Sequence, residues 1–209
     1  MKKRLILSGS PTRGFSLIEI TVVLALLVLA AAISVPALRH IGGGTRLAST
    51  GMLVSNNLAL ARQKAVLLNR PVEVRLYSFA PSDGPPLKRY RALQLFRVEE
   101  SEKVPVTPVL FFSKGIVLTE STETTSLLSI PGQPLPGAAT GARVPGAGLK
   151  YDSLSFQFRP DGSTTLDVTQ KWFLTLVAET DPVVAGGLPA DFLTVQIDPA
   201  SGKTVSLHP

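Results

Sequence analysis

The stretch RGFSLIEITVVLALLVLAAAISVPAL, residues 13–38, is the part of the sequence on which the prediction of the fold depends. From Phe15 to Leu38 it carries one charged residue, Glu19, and few polar ones. A helix of about 20 mostly apolar residues is long enough to cross the hydrocarbon core of a bilayer. The sequence therefore predicts a transmembrane helix over residues 15–38.

Glu19 is the unusual residue of this helix. A charged side chain in lipid costs on the order of a few kcal/mol, so an ionisable residue at such a position indicates a function. One candidate partner is the amine that a cut between Gly14 and Phe15 would create on a neighbouring subunit, because such a pair offsets the desolvation of both charges. Alternatively, Glu19 lies among the headgroups at the positive end of the helix and is solvated. Its position alone leaves both interpretations open.

The order of these residues carries a family resemblance. A basic leader, then GFSLIE at residues 14–19 and an unbroken apolar run, resembles the class III signal of type IV pilins and type II secretion pseudopilins. The resemblance implies that a prepilin peptidase cuts after Gly14 and methylates the amine of Phe15. It also implies that Glu19 aligns subunits in a filament and that Pro36 lies where pilins often carry a helix-kinking proline. The partners it implies are the peptidase, other pilin or pseudopilin subunits, and an inner-membrane assembly platform.

The N-terminus has two other interpretations. Ala30, Ala31 and Ala32 could imitate the cleavage site of a conventional secretory signal, but the apolar run continues beyond them. A plain single-pass anchor explains the length and leaves Gly14, Phe15 and Glu19 as coincidences. Four Lys or Arg residues precede the helix and Arg39, His40 and Arg46 follow it, which favours a cytoplasmic N-terminus and a periplasmic C-terminal domain.

Composition excludes some classes of protein. The chain has 209 residues, with 21 Lys and Arg against 15 Asp and Glu. The first 14 residues hold four of the cations and no acid, so removing them leaves 17 against 15, a net charge of +2. The high pI is therefore not evidence for a nucleic acid partner. No cysteine is present, which excludes disulfides and thiolate metal sites, and 17 Gly with 17 Pro favour a strand-rich domain.

The predicted fold class is α+β, with a long N-terminal pilin-like helix packed on a β-rich antiparallel C-terminal domain. Residues 1–14 form the leader, 15–38 the membrane and assembly helix, 39–70 a kinked periplasmic amphipathic helix and 71–209 the β-rich domain. Pro36 and the glycines at 42–44 favour a kink or a melted turn. The helix from Thr45 to Asn69 has charged residues such as Arg62 and Lys64 on its solvated side. Its predicted buried face consists of Leu47, Val54, Leu58, Ala61, Ala65 and Leu68.

Short strands follow Pro71, which stops the helix. Val72–Tyr77 alternates between apolar and polar residues and is predicted to form a hairpin with Tyr90–Val98. A last hairpin joins Phe192–Ile197 to Thr204–Leu207, and residues 131–148 are predicted to be a flexible Pro/Gly/Ala loop with little to bury. The other predicted strands are Val109–Phe112, Ile116–Leu118, Leu127–Ile130, Leu154–Phe158 and Lys171–Glu179, the last with Trp172 as its core residue.

Three later segments extend the resemblance. LALARQKAVLLNRPVEVRLY at 58–77, LSFQFRPDGST at 154–164 and TVQIDPASGKTVSL at 194–207 are similar to GspH/FimT-type minor pseudopilins. The first of these, taken with YRALQLFRVEE at 90–100, also resembles the Verru_Chthon cassette protein D family. The resemblance implies a minor subunit of a type II secretion pseudopilus or a type IV pilus-like filament.

No catalytic constellation or cofactor site is predicted. His40 and His208 have no acid nearby in a motif, and Gly42–Gly44 lack the lysine of a phosphate-binding loop. Asp83, Asp161 and Asp198 lie in turn sequences, where a local structural role is expected.

Two alternative functions stay open at this stage. One is a DNA-binding minor pilin of FimT type, for which the cationic tail residues Lys203 and His208 are thin support. The other is an unprocessed membrane-anchored domain. The better cationic candidates surround the first hairpin, although ordinary surface charge is favoured for them and nucleic acid is not the predicted partner: Arg75, Lys88, Arg89, Arg91 and Arg97.

Overall fold

A computed structural model of the chain describes residues 16–83, 86–100, 102–180 and 187–207, with the backbone alone at 32–43. The chain divides into two compact units, residues 1–42 and 43–209. The predicted leader, Gly14, Phe15 and His208 lie outside the described residues.

The first element is helix α1, Leu17–Leu68. The helix continues through Pro36 and the glycines at 42–44, so the expectation of a melted turn there is wrong, and the kink at Pro36 stays a prediction. Glycine costs a helix only about 1 kcal/mol per residue relative to alanine, which allows the helix to pass through three of them. Among the residues that the structure describes, no helix combines the length and apolarity needed to cross a membrane.

The second half of α1 packs on the sheets through the face that the sequence predicts. Five of the six predicted residues are buried, namely Leu47, Val54, Leu58, Ala61 and Ala65. The sixth, Leu68, is 38% exposed because the helix ends there. Asn69 follows with a positive φ of 48°, and the Arg70 amide donates to the Ala65 carbonyl. A left-handed residue after the last turn is a common helix stop, and Pro71 reinforces it.

In the described part of the chain, ten strands form two antiparallel sheets. The six-stranded sheet has the order β3-β2-β1-β7-β6, with β4 also pairing β2, and the four-stranded sheet has the order β10-β9-β8-β5. The strands are β1 Val72–Phe79, β2 Arg89–Val98, β3 Lys103–Pro105, β4 Leu110–Phe111, β5 Ile116–Leu118, β6 Leu135–Pro136, β7 Asp152–Phe158, β8 Trp172–Ala178, β9 Phe192–Ile197 and β10 Thr204–Leu207.

Most predicted strands are confirmed, including the hairpins β1–β2 and β9–β10 and the burial of Trp172. The strand predicted at Leu127–Ile130 is wrong, because a 3₁₀ helix, Ser126–Ser129, occupies this segment. There the Ser126 hydroxyl accepts a hydrogen bond of 2.8 Å from the Phe173 amide, and Leu127 is buried in the core. A side chain thus satisfies the β8 backbone in place of a neighbouring strand.

One hydrophobic core joins α1 to both sheets. From β1 and β7 it receives alternate residues, such as Val74 and Phe156, and from the four-stranded sheet it receives residues such as Trp172 and Val195. The fold is therefore α+β, with the helix packed on antiparallel sheets as the sequence predicts.

Two glycines of α1 provide a matched test of this packing. A Cβ atom on Gly51 would lie 2.2 Å from Leu193 Cδ1 in the core, whereas one on Gly44 would meet nothing within 4 Å. We expect Gly51→Ala to lower the free energy of unfolding by about 1–3 kcal/mol through overpacking. Gly44→Ala should raise it by about 0.5–1 kcal/mol through helix propensity. Denaturant unfolding followed by fluorescence of the single tryptophan, Trp172, measures both, and equal effects of the two changes would contradict the packing.

Candidate assembly helix and buried polar face

The first part of α1 presents apolar side chains on every side. Residues 17–31 are all exposed, and at 3.6 residues per turn their large apolar side chains point in all directions around the helix axis. A helix that is apolar all round is normally buried in a protein interior or in a membrane. The large apolar residues concerned are Leu17, Ile18, Ile20, Val22, Val23, Leu24, Leu26, Leu27, Val28 and Leu29.

Glu19 is the acid of this segment and lies in the first turn of α1. Its amide donates to the Ser16 carbonyl at 3.0 Å, and the Thr21 hydroxyl donates to the Ile18 carbonyl at 2.8 Å. Glu19 is exposed, and in the part of the chain that the structure describes no cation lies within ion-pair distance of its carboxylate.

The 43–209 unit contains a second unusual feature, a buried polar face on the six-stranded sheet. Strand β1 is buried on both faces, so the polar residues Glu73, Arg75 and Tyr77, which alternate with its core residues, are also inaccessible. This differs from the half-exposed strand that the alternation predicts. The sequence pattern shows that the second face is polar, but it contains no signal for what covers it.

A three-membered ionic cluster lies on this face. Arg75 donates from Nε and Nη2 to Glu73 Oε1 at 2.9 and 2.6 Å, and Lys103 Nζ donates to Glu73 Oε2 at 2.5 Å. The Arg75 guanidinium also stacks 4.4 Å from the centroid of the Phe96 ring. The sequence contains no sign of this cluster, because Lys103 lies on edge strand β3 and is brought near β1 only by the pairing of both strands with β2.

Tyr77 continues the polar face beside this cluster. Its hydroxyl donates to Gln94 Oε1 at 2.8 Å. The centroids of the Tyr77 and Tyr151 rings lie 5.0 Å apart, with the rings edge to face. Burial raises the pKa of Tyr77 to about 12, because the ionised phenolate would lose its hydration, although the nearby Arg75 charge opposes part of the shift.

Residues 131–148 cover part of this face. Within the predicted flexible loop the structure contains β6, a four-residue helix at Gly137–Thr140 and a bridge from Val144 to Gly148. Apart from Gly137 and Val144 its residues are partly or fully exposed, which agrees with the expectation that the segment has little to bury. The Tyr151 hydroxyl donates to the Ala142 carbonyl at 2.6 Å, which ties the segment to the start of β7. Its ordered elements therefore depend on contacts with residues outside the segment, such as Tyr151.

The Arg62 side chain bonds α1 to two turns, so the prediction that it is a solvated surface charge is wrong. Its Nε donates to the Ser201 carbonyl at 2.8 Å and to the Gly162 carbonyl at 3.3 Å. A Cβ atom on Gly202 would lie 2.2 Å from the Gly162 carbonyl oxygen, so the two turns touch. The three later segments that resemble minor pseudopilins therefore meet at one side chain.

Asp161 and Asp198 have the local role that the sequence predicts, whereas Asp83 accepts a hydrogen bond of 3.0 Å from Lys114, which is 31 residues away. The Asp161 carboxylate accepts hydrogen bonds from the Ser163 hydroxyl and amide, which lower its pKa. A hydrogen bond from the Ser201 hydroxyl, with another from the Ala200 amide, lowers the pKa of Asp198 in the same way.

The cations considered for DNA contact are engaged in ion pairs within the protein. Each of the five cationic residues around the first hairpin pairs with a carboxylate, and Arg75 shares its partner, Glu73, with Lys103. Phosphate binding requires cations that are free to replace counterions. The pairs are Arg75 with Glu73, Lys88 with Asp152, Arg89 with Glu120, Arg91 with Glu179 and Arg97 with Glu99.

Within the described ranges no group of three His, Cys, Asp or Glu residues is arranged to hold a metal ion. No protein-family model matches the sequence, and no curated protein is similar to it in sequence. Among solved structures, the type IV minor pilin FimU of Pseudomonas aeruginosa (strain PAO1) matches with a TM-score of 0.44 and 13% sequence identity. The match covers 79% of this chain and 93% of that chain.

Tyr77 makes the polar face sensitive to alkaline pH. Because its pKa is higher in the folded protein than the ordinary value near 10, its contribution to stability is complete below pH 10 and is lost as the pH rises toward 12. This increase in the pKa of Tyr77 corresponds to about 2–3 kcal/mol of the free energy of unfolding. We expect Tyr77→Phe to reduce the loss of stability between pH 9 and 12 relative to the unmodified chain. Urea unfolding at each pH measures the difference, and identical pH profiles would contradict the assignment.

Proposed function

We propose that the chain is a pilin-like minor subunit of a type II secretion pseudopilus or type IV pilus-like filament. The observation that carries this proposal is the combination found in α1: exposed apolar residues on every side and a single acid, Glu19, in its first turn. A helix with apolar side chains on every side is normally surrounded by other apolar groups, and lipid followed by the helices of other subunits is the environment we propose.

The apolar side chains of α1 and the carboxylate of Glu19 have separate roles in such a subunit. Lipid tails are as apolar as leucine, so apolar side chains hold the helix in the bilayer without selecting a particular neighbour. A carboxylate in the same surroundings costs a few kcal/mol unless it is paired. The amine of Phe15 on an adjacent subunit, released by cleavage after Gly14, would offset that cost only in one register. Glu19 would thus set the axial position of each subunit.

The 43–209 unit is then a rigid exported domain. Its helix face, both sheets and the Arg62 contact form a continuous core, as expected for a structural subunit whose role is architectural rather than enzymatic. We place this unit in the periplasm and the first 14 residues in the cytoplasm, on the basis of the positive charges that precede the apolar run. The proposed role is to initiate, cap or decorate a short filament.

Processing of the N-terminus tests the proposal directly. When the full chain is produced together with a prepilin peptidase, we expect a product that begins at Phe15 and carries an N-methyl group, because the residues at 14–19 match the signal of that enzyme class. Intact mass and N-terminal sequencing measure this, and Gly14→Val should block the cut. An unchanged mass, or a product beginning after Ala32 as a conventional secretory signal would give, would count against the proposal.

The role of Glu19 has its own test. We expect Glu19→Gln to reduce co-purification with other pilin subunits by at least about tenfold, a loss of 1.4 kcal/mol or more, because the partner amine would stay unpaired in lipid. Thr21→Val is the matched control, since the Thr21 hydroxyl bonds only within its own helix at the Ile18 carbonyl. Normal assembly of the Glu19→Gln protein after correct processing would show that Glu19 does not register the subunits.

A further inference from the structure

Cavities in the described part of the 43–209 unit differ in the charge of their walls. One of about 410 Å³ has a single ionic side chain, the exposed Asp167. Another of about 340 Å³ has two cations and two carboxylates in its wall, which form the ion pairs Arg91–Glu179 and Lys114–Asp83. The third, of about 180 Å³, is lined by Arg75 and Lys103 and by no carboxylate. Among these three, it alone has more cations than carboxylates in its wall.

The charges at this third cavity do not cancel. Arg75 and Lys103 share one carboxylate, that of Glu73, and each of its oxygens already accepts from one of them. One positive charge is therefore left over. Arg75 is only 4% exposed, so the surplus charge is partly removed from water, while the side chain of Lys103, which also lines the cavity, is 45% exposed. A cationic group in such a position favours an anion as a hydrogen-bonding partner.

The remaining walls are suited to a small organic ligand. Ser155 lines the cavity, and its hydroxyl can donate to an oxygen ligand. The hydroxyls of Thr140 and Ser153 already donate to backbone carbonyls, so toward a ligand they can only accept. The side chains of Leu135 and Ala139 provide an apolar wall. Residues 131–148 contribute Leu135, Ala139 and Thr140, so the covering segment and the sheet build the cavity together.

We propose that this cavity binds a small organic monocarboxylate with a short aliphatic part. The carboxylate lies against Arg75 and Lys103 and matches the single surplus charge. The aliphatic part packs on Leu135 and Ala139. A volume of about 180 Å³ fits a ligand of a few heavy atoms.

Calorimetric titration of the full chain in detergent tests this proposal. The probe is propionate, with propionamide as the neutral ligand of the same shape and inorganic phosphate as the oxyanion without an aliphatic part. We expect saturable binding of propionate, no binding of propionamide and weaker binding of phosphate. Equal affinity for propionate and propionamide, the absence of saturable heat, or tighter binding of phosphate would each overturn the proposal.

A pair of lysine variants locates the site. Lys103→Gln removes the surplus charge and should weaken propionate binding by at least about tenfold, as for the loss of one charge-assisted hydrogen bond. Lys114→Gln is the matched control, because Lys114 also pairs with a carboxylate, Asp83 at 3.0 Å, but outside this cavity. Both lysines have exposed side chains, so both variants should fold, which far-UV circular dichroism checks. Equal losses in the two variants would show only general attraction to a basic protein.

Discussion

The close approach of helix α1 to the two sheets is the constraint on which the rest of the 43–209 unit depends. Gly51 leaves no room for a Cβ atom beside Leu193, and Ala61 and Ala65 are fully buried. Small residues at these positions let the helix lie close enough for short polar side chains to reach the sheets. The Thr50 hydroxyl accepts from the Ser113 amide at 3.1 Å, and the Ser55 and Ser206 hydroxyls lie 2.9 Å apart.

The position of the helix has a consequence for the opposite face of the six-stranded sheet. One helix covers one face of a sheet, so the other face must either stay in water or be covered by other parts of the chain. Here the chain covers it with residues 131–148 and fills the space beneath with polar side chains that bond to each other. Buried polar groups are stable only when they are hydrogen-bonded, and Glu73, Arg75, Tyr77 and Gln94 satisfy that requirement together.

The two halves of α1 differ in how their apolar side chains are distributed around the helix axis. Residues 47–65 have one buried apolar face, from Leu47 to Ala65, while residues such as Met52 on the other side are exposed. Residues 17–31 are apolar all round, which suits a surrounding that is apolar in every direction. In the function that we propose, the first half belongs to the bilayer and the filament, and the second half belongs to its own domain.

The sequence by itself determined the features that depend only on residues close together in the chain. The apolar run with Glu19, the buried face of Leu47 to Ala65, the hairpins at their turns and the core position of Trp172 all follow from the direction in which a side chain points along a helix or strand. Tertiary structure alone decided what lies opposite those side chains. Arg62 has the sequence context of a surface charge, yet it bonds to Ser201, which is 139 residues away. Arg75 likewise lies on a polar face that residues 131–148 partly cover. Periodicity encodes the face on which a residue lies, but burial depends on the distant segment that packs against that face.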